Sequence, residues 1–183
     1  RLAGVEIHRG GLLESLRLTL AMHLLRWLTR DAPPLFLRAG DTISLLPQAG
    51  GRHEPHVAAL IERLADAGWD GFLIDIGANI GLTSCQSADR FAHAFLFEPN
   101  PDAFRVLEVN TAIALTRTRA HLHPFGLAAE RRTERLCVPR DNWGGAFVPQ
   151  GNAYDAATLA AKEGRDAVGG AGLLERTVRL EPA

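Results

Sequence analysis

Two carboxylates and a glycine-bracketed turn are the residues of this chain best spaced to do chemistry. Asp75 lies in the apolar run Phe72, Leu73, Ile74, Asp75, Ile76, and Gly77, Ala78, Asn79, Ile80 and Gly81 follow at once. Glu98 closes the next apolar run, residues 93–97. A strand, a tight loop and a helix start in succession leave backbone N–H groups and the positive end of a helix dipole facing a small ligand. The dinucleotide fingerprint G-x-G-x-x-G needs a middle glycine so that backbone can approach a pyrophosphate. Here that glycine is absent, and the bulk of Asn79 obstructs a pyrophosphate while its amide can hydrogen-bond a smaller polar group. Asp75 repels a diphosphate and attracts an ammonium group. Glu98, beside the loop at the end of the neighbouring strand, offers its two oxygens to both hydroxyls of a ribose. The ligand implied is a nucleoside with a cationic, amino-acid-like tail and no pyrophosphate. If Asp75 and Glu98 are instead strand-end charges in solvent, the site dissolves.

The elements that must hold these residues can be read from periodicity. Residues 72–76, 93–97 and 120–127 read as strands, and residues 82–88 and 101–115 as the helices between them, with Pro101 in a first turn. Strand, helix, strand, helix, strand indicates a parallel sheet with right-handed crossovers, a Rossmann-like half. Val57, Leu60, Ile61 and Leu64 recur at helical spacing in residues 54–67, ahead of the first strand. Residues 12–28 carry Leu13, Leu16, Leu20, Leu24 and Leu25 on one helical stripe, expected to dock on the chain's own domain. Arg17, His23 and Arg26 interrupt it and argue against a membrane span. Residues 35–46 predict a hairpin about Ala39, Gly40 and Asp41. Residues 135–139 and 146–149 predict another, about Asp141, Asn142, Gly144 and Gly145. Residues 154–163 read as helix, 164–172 as a glycine-rich loop and 176–180 as a last strand.

S-adenosylmethionine meets the description of the ligand, and the residues around it resemble a known family. The run from Asp75 to Gly81, then Phe97, Glu98, Pro99, Asn100 and Pro101, then Asn110, resembles the FkbM-type S-adenosylmethionine-dependent methyltransferases. Glu54 with Pro55, the run from Phe125 to Ala128, and Asn142, Trp143, Gly144 and Gly145 resemble further parts of that family, so the likeness extends over residues 52–148. The resemblance implies that Asp75, Gly77, Ala78, Asn79 and Gly81 cradle the methionine part and that Glu98 holds the ribose. It also implies that Pro99 and Asn100 flank the adenine, with Gly126 and Leu127 near its edge. Glu54 would contact the amino-acid tail; a carboxylate serving its own helix dipole is the competing reading. The family's Lys-Ile-Asp-x-Glu-Gly strand has no counterpart here, and the chain is expected to be a fragment. The expected fold is α/β: a Rossmann-like class I methyltransferase sheet, incomplete on its C-terminal side. A helix and hairpin extension over residues 1–51 would precede the partial cofactor-binding domain over 52–183. The implied activity is O-methylation of a hydroxyl on a small-molecule or saccharide acceptor.

No residue is identified as the catalytic base. His53 and His56 are candidates near Glu54, and surface or capping roles compete. His121 and His123 alternate and so share a strand face, but no third metal ligand follows at a sensible spacing, and no metal is expected. Trp143 either stacks on a substrate ring or covers its turn. Cys85 and Cys137 form no CxxC pair and read as reduced core thiols, which with nineteen arginines against one lysine suggests a bacterial, cytoplasmic protein. With 46% hydrophobic and 22% charged residues and a formal charge of −1, the chain is an ordinary globular sequence, with no basic excess to hold a nucleic acid. A nicotinamide-dependent oxidoreductase and a noncatalytic nucleoside-binding module are the alternatives to a methyltransferase.

Overall fold

Apolar runs stopped by glycine become the strands of a parallel sheet. In a computed structural model that describes residues 11–28, 30, 34–149 and 173–183, β1 (Phe72–Ile76), β2 (His93–Phe97) and β3 (Arg119–His123) lie side by side in that order. Both pairings are parallel, with Ile76 opposite Phe97 and Phe97 opposite His123. The connections are α4 (Leu82–Ser87), with one 3-10 turn after it, and α5 (Pro101–Ala114). Asn100 caps α5, its Oδ1 accepting the Asp102 N–H at 3.1 Å, and Pro101 occupies a first-turn position whose N–H has no helical partner to lose. The chain is therefore mixed α/β, compatible with a Rossmann-like half.

Alternation along the strands sorts the sheet into two faces. Leu73, Ala94, Leu96, Ala120 and Leu122 meet Ile61 and Val57 of α3 (Pro55–Asp66) and Leu107 and Phe104 of α5 in one apolar cluster. The opposite face carries Phe72, Ile74 and Ile76 from β1, then His93, Phe95 and Phe97, then Arg119, His121 and His123. On β1 that face is bare: Phe72, Ile74 and Ile76 are 64%, 54% and 64% exposed.

The expected third strand breaks in two. Residues 119–123 complete the first sheet, and after Pro124 and Phe125 the chain enters a second one as β4 (Gly126–Ala128). There β6 (Leu173–Pro182) lies between β4, parallel to it, and β5 (Arg132–Pro139), antiparallel. The last strand expected at 176–180 lies within β6, while the readings at 154–163 and 164–172 fall outside the described residues. The hairpin expected at 135–149 reduces to one antiparallel bridge, Cys137 to Phe147, because β5 pairs along its length with β6 and residues 143–145 form a 3-10 turn.

Two expectations for the N-terminal part fail. Residues 35–46 form no hairpin; α2 (Thr42–Gly50) starts there instead. The cause is Asp41, buried with Oδ2 accepting the Ser44 hydroxyl at 2.8 Å and Oδ1 accepting the Trp143 N–H at 2.9 Å. Leu35, Leu37 and Ile43 then pack on Ile80, Leu82 and Ala103, beside the glycine loop. The helix at 12–28 is present as α1 (Leu12–Leu28) but does not dock: none of its residues is buried, and Leu18 and Met22 extend its apolar surface beyond the expected stripe. No helix among the described residues is long and apolar enough to cross a membrane.

Candidate functional site

The loop after β1 is closed by hydrogen bonds, most of them to the end of β2. The N–H groups of Gly77 and Ala78 both donate to the Phe97 carbonyl, at 2.9 and 3.0 Å, and that of Gly81 donates to Ala78 at 2.8 Å. The Asn79 N–H donates to Glu98 Oε2 at 2.7 Å. The expectation that these amides face a ligand is thus corrected, because the neighbouring strand's end supplies their acceptors. Gly77 and Gly81 have φ of +84° and +88°, the left-handed region that favours glycine, and Asn79 joins them at +52°. The two glycines differ in surroundings. A Cβ on Gly77 would meet open space, whereas one on Gly81 would sit 2.8 Å from Cys85 Sγ and 2.9 Å from Leu107 Cδ1. Gly81 thus sits directly against side chains of both α4 and α5.

Glu98 links this loop to the next. It is 6% exposed, and its second oxygen, Oε1, accepts the Asn100 N–H at 2.7 Å. Burial pushes its carboxyl above the usual range against the pull of the Asn100 and Asn79 N–H groups, and Asp75 adds to the upward push. Asp75 is also raised by burial, with the Ser84 hydroxyl bonded to Oδ2 opposing it. Burial and then the charge of Asp75 push the Cys85 thiol up to about 12, so this cysteine is inert. The two acids are therefore not solvated strand-end charges.

Around them stand buried polar atoms with no hydrogen-bond partner among the described residues: Asn79 Oδ1 and Asn100 Nδ2. Pro99 is brought against Gly126, where an added Cβ would lie 3.4 Å from Pro99 Cγ and 2.7 Å from Leu180 Cδ2. Leu127 follows in β4, opposite Glu181. Thus Asp75, Gly77, Ala78, Asn79, Gly81, Glu98, Pro99 and Asn100 share the ends of β1 and β2, and Gly126 joins them through Pro99.

Glu54 is tied differently. Its carbonyl starts α3, accepting from Val57 and Ala58, and its exposed side chain lies 3.8 Å from His53 Nε2. The His53 N–H donates to Gln86 of α4 at 3.0 Å, and His56 is exposed on α3. Trp143 packs against both of its neighbouring apolar clusters with the Arg38 guanidinium 4.6 Å above its ring, so it covers its turn and offers that ring face to no substrate. His121 and His123 do share a face, and each stacks on the phenylalanine opposite at 4.5 Å. Partial desolvation and the neighbours Arg119, His93 and His123 hold His121 below its ordinary range.

Two further residues hold the loop in place: Ser84, which the sequence reading missed, and Asn110, which the resemblance included without assigning it a role. Ser84 binds Asp75 from one turn into α4. Asn110, fully buried on α5, donates to the Ile80 carbonyl at 2.7 Å and brackets Phe36, accepting its N–H at 2.7 Å and donating to its carbonyl at 3.1 Å. An asparagine on the buried face of a helix was the available signal, since such a group must find partners. No family model, curated protein or solved structure matches this chain.

Proposed function

We propose that this chain is the cofactor-binding part of an S-adenosylmethionine-dependent methyltransferase of the FkbM type, acting on a hydroxyl of a small molecule or saccharide. The observation that carries the reading is Glu98: a buried carboxylate at the end of a parallel strand, holding two loops, with unpaired Asn79 Oδ1 and Asn100 Nδ2 in those same loops. Each Glu98 oxygen has accepted one N–H and keeps a second lone pair, which suits the paired hydroxyls of a ribose. Asn100 Nδ2 offers a donor to a base edge and Asn79 Oδ1 an acceptor to an ammonium group. That ammonium would also restore the ionised form of Asp75, which burial disfavours. The residues present therefore fit the cofactor, which when bound supplies an activated methyl group for in-line displacement. What this chain contributes is position: Asn110 of α5 and the end of β2 fix the loop so that the nucleoside is held in one orientation.

The closed loop weighs against a nicotinamide dinucleotide, because the amides that would cradle a pyrophosphate already serve Phe97, Glu98 and Ala78. Calorimetric titration with S-adenosylhomocysteine and with NAD tests the choice. Binding of the first alone, weakened by more than about 1.5 kcal/mol in a folded Glu98→Ala variant, is the expected result. Binding of NAD, or of neither ligand, would sink the reading.

A further inference from the structure

The bare face of the sheet holds a second cluster of chemistry-bearing side chains, independent of the loop. His93 begins β2 and His121 lies at the middle of β3, one step diagonally across the parallel register. His93 Nδ1 and His121 Nε2 face each other at 3.2 Å. The sequence placed His121 and His123 on one face and expected no metal there; residues two apart on a strand stay apart, and it is the cross-strand pair that meets.

That spacing has two chemical readings. A hydrogen bond uses one N–H and one lone pair. Two imidazoles on a tetrahedral ion, each with a bond of about 2.0–2.1 Å, hold their nitrogens roughly 3.3 Å apart, almost the same separation. In the second case both rings present lone pairs and carry their protons on the outer nitrogens, so a tautomer shift and a tilt of the rings toward the ion separate the two states. We propose that His93 and His121 form a two-histidine site for a divalent ion of the zinc, nickel or copper class, open to solvent on the bare face of the sheet. Imidazole nitrogen selects these ions over magnesium or calcium. Among the described residues no third histidine, cysteine or acid completes the set, so water fills the other positions.

The surroundings set the strength. Phe95 stacks on His121 at 4.5 Å with planes 8° apart, fixing that ring upright. Arg119, directly opposite His93 in the register, places a cation beside the site and weakens it. His123, stacked on Phe97, stands outside the pair.

The test is calorimetric titration of the untagged chain with zinc chloride, together with the single variants His93→Ala, His121→Ala, His123→Ala and Arg119→Ala, each confirmed folded by circular dichroism. One ion per chain is expected, with affinity reduced at least tenfold in His93→Ala and in His121→Ala, unchanged in His123→Ala and tighter in Arg119→Ala. Electron paramagnetic resonance of the copper(II)-loaded wild type should report two nitrogen ligands. No zinc binding by the wild type, or binding that survives both histidine variants, would overturn the proposal.

Discussion

The two faces of one three-stranded sheet follow opposite rules. On the first, Ala94 and Leu96 are fully buried and Leu73 and Leu122 partly so, in the cluster with α3 and α5; on the second, the alternate residues of β1 stay in solvent. Parallel sheets are ordinarily covered on both faces, because each crossover brings a helix with it. Here β1, β2 and β3 are laid down in one direction, α5 of the second crossover packs on the same face as α3, the helix before β1, and on the other face β1 stays exposed. The comparison teaches where stability resides and where chemistry is free to vary. The covered face fixes the glycine loop through Gly81, Leu107 and Asn110, and the other face presents histidines and phenylalanines stacked on one another beside an exposed β1.

One substitution on each face breaks or sharpens that contrast. Leu96→Ala, at a position with 0% exposure, should cost about 3–4 kcal/mol. Ile74→Ala on the other face of the sheet, at 54% exposure, should cost less than about 1 kcal/mol. Urea midpoints with unchanged slopes read both, and equal losses would mean that the second face is covered after all.

The same logic separates the two glycines of the loop. Gly81→Ala combines an unfavourable φ of +88° with collisions against Cys85 and Leu107, and about 2–3 kcal/mol of stability should go. Gly77→Ala carries the backbone strain alone and should lose about 1 kcal/mol. Thermal melts of the two variants side by side check the order.

The smallest effect is electrostatic and has a sign. Asp75 has a folded-state pKa raised above its ordinary value, so at neutral pH its charge disfavours the folded form. That cost is fully present above the raised pKa and gone once pH falls below the unfolded value, about 4. Asp75→Asn should therefore melt slightly higher than the wild type at neutral pH and converge with it under acid. A variant that melts lower at neutral pH would mean that the charge is compensated in the folded chain.

Much of the covered side was legible in the sequence. The runs at 72–76 and 93–97 became strands with those bounds, and Pro101 marked the first turn of α5, because period and proline are local signals. The placing of Glu98 beside the loop was legible too. What stayed hidden was tertiary. Asp41 abandons a hairpin for a helix start because Trp143, 102 positions away, donates to it. The loop amides turn inward because β2, not β1, supplies Phe97 and Glu98. The open face could not be read either, since alternation is the same whether or not a second layer exists.

The most direct test of a nucleoside site at Glu98 is a two-dimensional amide NMR spectrum of the isotope-labelled chain titrated with S-adenosylhomocysteine. The expected result is movement of the backbone N–H signals of Asn79 and Asn100 and the side-chain amide of Asn100, with those of His93 and His121 unmoved. Signals that all stay in place at saturating ligand, or that move only on the bare face, would contradict it.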